Sequence, residues 1–303
     1  MAHKIAFIGA GSFGFTRSLV RDLLSFPAFH DATISLMDIN AERLAAIKRA
    51  VDRIVAEGKY GAKVEATMDR KEALVGAEGV VTTILAGDVD VWQHDILIPK
   101  KYGVDTNVGD TRGPSGIFRY LRTINPIMEI AADIDRYCPN AVYLNYTNPM
   151  AMLCRTVQGA YPHIVTSGLC HSVQVCASHL MQMLGMEYDD TVQWKIAGIN
   201  HQAWLLEITK DGRDLYPELK KRALEKNREK HGDMVRLELM RRFGYYITES
   251  SEHNSEYMPY FIKSTHPELI DQFNIPLDEY PRRCINQIKG WKEEKASILQ
   301  DGQ

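Results

Sequence analysis

The chain has 303 residues, 45% of them hydrophobic, enough to bury a full core and form two lobes around a cleft. Lys and Arg total 36 against 39 Asp and Glu, and a net charge of −3 gives no electrostatic case for a nucleic acid or membrane partner. No run approaches the roughly 18 apolar residues of a spanning helix. Met1-Ala2-His3-Lys4-Ile5 enters a strand with no room for a secretory signal, so a cytoplasmic location is expected.

Lys4 to Ile8 is a short apolar run ending at glycines, which predicts a buried strand, and a helical pattern follows from Ser12 to Leu24. Ala32 to Ile39 predicts a second strand and Asn40 to Ala56 an amphipathic helix. Gly79 to Leu85, rich in β-branched residues and without charge, predicts a third strand. Gly113 to Tyr137 reads as a long helix with a kink or break at Pro126. Ala141 to Leu144 and Ile164 to Ser167 read as further strands of the same sheet. This alternation predicts an α/β fold with a Rossmann-like, doubly wound parallel sheet.

From about Val192 the character changes to a mixed α+β lobe. Val192 to Ile199 and Ala203 to Thr209 read as antiparallel strands, and Lys210-Asp211-Gly212 as a turn. Pro217 to Arg242 carries Lys, Arg and Glu at helical spacing, the pattern of a solvated helix face. The expected domains are 1–190 for the nucleotide and 191–303 for substrate and metal. Five cysteines (Cys138, Cys154, Cys170, Cys176 and Cys284) show no C-x-x-C spacing, which suits reduced thiols rather than a disulfide frame or zinc knuckle.

Gly9-Ala10-Gly11-Ser12-Phe13-Gly14, between a strand and a helix, has the pattern that cradles a pyrophosphate. Gly9 permits the tight turn, Gly11 lets backbone approach the phosphates, and Gly14 is expected to allow close helix–sheet packing. The helix start at Ser12 offers N–H groups and a positive dipole end. Asp38, ending the second strand, is placed to accept a ribose hydroxyl and so to favour NAD over its 2′-phosphorylated relative; Arg43 nearby argues the other way.

Cys170 and His201 each end a predicted strand, and a thiolate with an imidazole suits a borderline metal such as Mn²⁺, Fe²⁺, Co²⁺ or Zn²⁺. By residue type alone they read rather as a buried structural cysteine and a hydrogen-bonded core histidine. His171 is either a proton donor or a residue that orients its neighbour. Asn145 and Asn148 either bind sugar hydroxyls or cap a helix starting near Met150. The polar stretch Glu249 to Tyr257 suits a substrate-binding loop or a surface loop. Tyr245, Tyr246 and Tyr257 are nearby phenols, and a tyrosine beside a metal can act as a base.

These segments together resemble glycoside hydrolase family 4, and within it the α-galactosidases. The resemblance rests on GAGS at the amino terminus, GDTRGPSGIFRYLRTI from Gly109, NYTNPM from Asn145 and GLCHSVQ from Gly168. It continues with AGINH from Ala197, ESSEHNSEY from Glu249 and PLDEYPRRC from Pro276. It implies hydrolysis of melibiose-like α-galactosides with NAD and Mn²⁺ or another divalent transition metal. The implied steps are oxidation at C3, loss of the C2 proton, elimination, water addition and re-reduction. It also implies Cys170 and His201 as metal ligands, Asn148 as a substrate residue, and a tyrosine base for which Tyr246 and Tyr257 compete. His171 stands where phospho-sugar members carry an aspartate acid, which points to an unphosphorylated sugar. The partners implied are a small oligosaccharide and further copies of the chain, as a homo-oligomer.

Family members usually continue past this length, so a truncated chain with an incomplete substrate lobe is expected. The alternatives are a sibling acting on α-glucosides or α-galacturonides, a plain NAD-dependent dehydrogenase needing no metal, and a dinucleotide-binding module without turnover.

Overall fold

A computed structural model describes residues 3–87 and 89–300. In chain order its elements begin β1 (Lys4–Ile8), α1 (Phe13–Leu24), β2 (Thr33–Met37), α2 (Ala41–Glu57), β3 (Lys63–Thr67), α3 (Arg70–Leu74) and β4 (Gly79–Thr82). Then follow α4 (Val89–Lys100), α5 (Gly113–Tyr137), β5 (Val142–Asn145), α6 (Met150–Ala160), β6 (Thr166–Gly168), α7 (His171–Gln174) and α8 (Cys176–Met183). Next are β7 (Val192–Ile199), β8 (Gln202–Lys210), β9 (Arg213–Asp214), α9 (Tyr216–Lys226) and α10 (Met234–Phe243). The last are β10 (Tyr246–Ile247), α11 (Ser251–Tyr257), α12 (Glu268–Gln272) and α13 (Glu279–Gln300).

A single boundary near residue 190 was expected. By contacts the chain groups into two discontinuous units, one comprising the residues up to Asp90, Phe118–Leu169 and those from Cys284 onward, the other Val91–Ile117 and Cys170–Arg283. Unit membership here follows packing, and the chain returns to the first unit after its central sheet strands are laid down.

The first unit holds a six-stranded, all-parallel sheet in the order β3-β2-β1-β4-β5-β6. Both faces are covered, which is why its central strands read as unbroken apolar runs. Period-two alternation sends Ala6, Ile8 and Val80 to one core, where α5 contributes Ile127, Ile130, Ala131 and Ile134. Phe7 and Val81 go to the other, with Val20 and Leu24 of α1 and Ile47 and Val51 of α2. The assigned α5 helix is not broken at Pro126. Proline removes one backbone hydrogen bond, but the buried isoleucine face that follows it anchors the second half.

The second unit is built on the antiparallel pair β7–β8, extended by β9 and β10 on β8. The expected turn at Lys210-Asp211-Gly212 links β8 to β9, with positive φ at Asp211 (52°) and Gly212 (75°). Against the sheet pack Leu180 and Met181 of α8, Leu219 of α9, and Leu237 and Met240 of α10.

For the charged run from Pro217 to Arg242, α9 does expose its charges, and the structure corrects the reading for α10. The run forms two helices, α9 and α10, and α10 is not a solvated face: residues 234–240 are all buried, Arg236 and Glu238 among them. The cause is packing on two sides. Leu237 and Met240 enter the core beneath the sheet, while Val235 and Leu239 enter a separate cluster with Ile247, Phe261 and Ile275. Arg236 is consequently paired with Asp233, and Glu238 with Arg241 and Arg242. Among the described residues, no helix is long and apolar enough to cross a membrane.

Candidate active site

The nucleotide-type cradle lies at the carboxyl end of β1, where the strand order reverses between β1 and β4, the usual crevice of such sheets. Gly9 has φ 83°, and a Cβ there would stand 2.8 Å from Ile84 Cγ2 and 2.9 Å from the Thr83 carbonyl oxygen. At Gly11 a Cβ would meet Asp38 Oδ2 at 2.7 Å, so both positions exclude side chains. Gly14 is different: a Cβ there would meet nothing within 4 Å. The helix–sheet packing expected of Gly14 is therefore absent, because the residue sits on the exposed side of the first turn of α1. Ser12 occupies the N-cap of α1 without a side-chain cap bond. Asp38 accepts the Gly11 N–H on Oδ2 and the Asn40 N–H on Oδ1, each at 2.8 Å. Arg43 places its guanidinium over Trp291 at 5.3 Å and donates from Nη1 to the Gly11 carbonyl oxygen at 3.5 Å.

Asn145 is consumed locally. Its Oδ1 accepts from Thr147 N at 3.2 Å, and its Nδ2 donates to the Thr147 carbonyl at 2.9 Å and to Cys154 Sγ at 3.6 Å. The N-cap of α6 is Pro149 rather than Asn148. Arg119 Nε donates to the Asn148 carbonyl oxygen at 3.3 Å.

In the second unit, Cys170 is the N-cap of α7 and His201 lies in the turn between β7 and β8. Glu249, in the left-handed region at φ 63°, completes a set of three with them. His201 Nε2 and Cys170 Sγ stand 3.5 Å and 3.7 Å from Glu249 Oε2, and the three donor atoms all lie within 4.8 Å of one another. Sulfur, imidazole nitrogen and carboxylate oxygen at this spacing fit a borderline divalent metal. Holding a non-glycine residue at positive φ costs on the order of 1 kcal/mol, and Glu249 is fixed there by the Ser250 N–H on its Oε1 at 3.1 Å.

The polar stretch Glu249 to Tyr257 is not a loop, as was expected, but largely the buried helix α11. Ser250 caps it, accepting from His253 N. Spacing of i and i+4 puts His253 and Tyr257 on one face, and the rings of both lie against His201, at 4.9 and 6.3 Å between centroids. A second set of possible donors, Asp110, His201 and His253, shares His201 and is wholly buried. The Cys170 set is partly exposed, unlike the Asp110 set.

Burial works against the charged form of His201, but the Cys170 thiol and the Asp110 and Glu249 carboxylates outweigh it and raise its pKa above the ordinary value. Burial raises that of Glu249, yet His253 and His201 more than offset it and hold the carboxyl low. His253 is lowered, chiefly by burial.

Of the two tyrosines expected to compete, the structure brings Tyr257 to the cluster, its hydroxyl 3.2 Å from His201 Nδ1. Tyr246 is fully buried in another network, donating to Asp233 beneath the Arg236 guanidinium. His171 opens α7 beside Cys170 and is exposed. Glu249, His253, Asp110 and Thr111 were not singled out for this site; the polar density around Glu249 and the GDTRG run were the signals that could have found them.

Glu256 anchors the approach to Asp110 by accepting N–H bonds from Asn107 (2.7 Å), Val108 (2.9 Å) and Gly109 (2.9 Å). Burial pushes its carboxyl from 4.5 up to about 7, against the pull of those three donors. A carboxyl raised by folding contributes stability that is full below pH 4.5 and lost as pH rises through about 7. Thermal melts across that window should show a decline that Glu256→Gln reduces; an identical pH profile in the variant would refute it.

Residues 4–186 match the family 4 glycosyl hydrolase signature and residues 196–303 that of its C-terminal domain, so the chain belongs to the family 4 glycosyl hydrolases. It is similar to an α-galactosidase of Bacillus subtilis, 49% identical over 300 residues, covering 98% of this chain and 68% of that one. It is 39% identical over 262 residues to an α-galactosidase of Rhizobium meliloti, covering 86% and 53%. Its fold is similar to a 6-phospho-α-glucosidase from gut microorganisms solved in complex with NAD and Mn²⁺, at TM-score 0.77 and 21% identity over 99% and 68% of the two chains. The chain thus spans 68% of the first of these relatives' length and 53% of the second's.

Proposed function

We propose that the chain carries the cofactor and metal machinery of an NAD- and divalent-metal-dependent α-galactosidase acting on melibiose-like oligosaccharides. The observation that carries this reading is the S, N, O donor set of Cys170, His201 and Glu249 in a chain that also holds the Gly9–Asp38 cradle. The identity to α-galactosidases supports the sugar class.

Gly9, Gly11, Ser12 and Gly14 receive the pyrophosphate, and the Asp38 carboxylate disfavours a 2′-phosphate by charge repulsion. Cys170 and His201, with Glu249, hold Mn²⁺ or another divalent transition metal. When bound, NAD⁺ supplies a hydride acceptor for C3 of the sugar and the metal a Lewis acid for its 2- and 3-oxygens. Asn148 binds the sugar. Tyr257 takes the C2 proton, and His171 gives a proton to the departing oxygen. Burial holds the Tyr257 phenol well above its ordinary range, so its work as a base requires stabilisation of the phenolate, for which the His201 ring, with Nδ1 3.2 Å from the hydroxyl, is the nearest group of the cluster. The chemistry so supplied would break the glycosidic bond by elimination and add water at C1, with no net consumption of NAD⁺. Tyr246, hydrogen-bonded to Asp233, takes no part. A cytoplasmic location, with which the five free thiols agree, and a homo-oligomer, tested by light scattering, belong to the same reading.

p-Nitrophenyl α-galactoside tests the function. With NAD⁺, Mn²⁺ and a thiol reductant, nitrophenol is expected without net NADH, and deuterium at C2 should exchange with solvent. Turnover that survives removal of both NAD⁺ and metal would overturn the reading.

A further inference from the structure

The Thr111 hydroxyl stands 2.7 Å from Asp110 Oδ1 and 2.9 Å from His201 Nδ1. A hydroxyl has one proton to give, and an ionised carboxylate can only accept. The Thr111 proton therefore goes to Asp110, and the Thr111 oxygen, the nearer of the two hydroxyls at Nδ1 (the Tyr257 hydroxyl stands at 3.2 Å), accepts a proton from His201. In the neutral imidazole that a metal requires, this assigns N–H to Nδ1 and leaves the lone pair on Nε2, on the other edge of the ring and 3.5 Å from Glu249 Oε2. A lone pair, a carboxylate oxygen and the Cys170 sulfur then face one another, an arrangement that asks for a cation among them.

The loop bearing Thr111 is fixed independently of His201. Besides the three N–H bonds to Glu256, Asn107 Nδ2 donates to Ser255 Oγ at 2.6 Å and to the Glu252 carbonyl at 3.0 Å. Gly109 turns at φ 64°, where a Cβ would stand 2.9 Å from Ser115 Cβ. Arg112 donates to the Tyr257 carbonyl oxygen. The hydroxyl is thus held by α11 rather than by the imidazole it serves.

We propose that Asp110 and Thr111 form a carboxylate–hydroxyl–imidazole relay that fixes the tautomer and ring orientation of His201, making Thr111 a positioning residue for metal capture at Nε2. The proposal rests on the metal-site reading above. It adds a role for the GDTRG run that does not involve contact with substrate.

The test is Mn²⁺ affinity, read from the electron paramagnetic resonance of free Mn²⁺ titrated with the intact chain. Thr111→Val is expected to weaken binding about 10- to 100-fold, the usual cost of losing a group that supports a ligand. Thr111→Ser, which keeps the hydroxyl, is expected to restore most of it. Wild-type affinity in Thr111→Val, or equal losses in the valine and serine variants, would overturn the relay. Imidazole nitrogen NMR of the wild-type chain loaded with diamagnetic Zn²⁺ gives a readout independent of the variants' folding. Metal on Nε2 and a proton on Nδ1 support the proposal, and the reverse assignment refutes it. Cys170→Ser separates the two claims: if it retains wild-type affinity the metal site itself is misassigned, whereas a loss there with none in Thr111→Val defeats the relay alone.

Discussion

Replacing Cys170 with serine is expected to abolish metal-dependent turnover while leaving nucleotide binding intact. Serine keeps the size of the side chain but offers a hydroxyl that does not ionise near neutral pH, where a thiol does so far more readily. The donor set then loses the soft ligand that distinguishes it from an oxygen site suited to Mg²⁺. The loss of Mn²⁺ affinity should exceed the roughly 100-fold that removing a supporting residue costs. The Gly9–Asp38 cradle, in which Asp38 accepts from Gly11 and Asn40 and not from Cys170, should bind NAD⁺ as before. Calorimetric titration of each component checks both halves, and retained Mn²⁺ affinity would refute the ligand assignment.

The largest effect on stability is expected from Arg236→Met. Arg236 is 4% exposed and pairs with Asp233, 6% exposed; its guanidinium also lies 4.7 Å from the Tyr246 ring centre and 3.3 Å from His179 Nδ1. Asp233 further accepts from the Tyr246 and Ser251 hydroxyls. Removing the cation leaves a buried carboxylate with two neutral donors and no counter-charge, at a cost of about 3–5 kcal/mol. The methionine fills much of the vacated volume, so the loss reports charge rather than a cavity. In urea melts, Arg236→Met combined with Asp233→Asn should recover part of the deficit. A single variant as stable as the parent chain would show that the pair carries no such weight.

These two residues also mark the limit of what the chain's letters reveal. The cradle was legible because its signal is local: an apolar strand, glycines at fixed offsets and a helix within a short span. β1, α5 and β7 were legible for the same reason, each carrying its own period. α10 was not, because its charges match an exposed helix and only the two clusters closing on it show otherwise. β3 was missed because Lys63–Thr67 is a largely exposed strand at the edge of the sheet, without an apolar run. In the candidate site, Cys170 and His201 stood out by their type, but Glu249 and Asp110 did not. They reach His201 through the path of the backbone, which no spacing between them encodes. The α11 segment was read as a loop because its side chains are polar. Its core-facing positions are satisfied by hydrogen bonds rather than by hydrocarbon, as with Asn254 Nδ2 to the Thr248 and Ser250 carbonyls, each at 3.0 Å.

Asp38 ties cofactor choice to loop construction. Each of its oxygens already accepts a backbone N–H, from Gly11 and Asn40, so under the proposed function the charge that would repel a 2′-phosphate is also the brace of the glycine turn. A neutral small residue there would admit the phosphorylated dinucleotide and, by the same change, release the turn that must cradle its pyrophosphate. Specificity at this strand end is therefore protected against drift by single substitutions: a switch of coenzyme needs a second, compensating change in the loop before the first becomes useful.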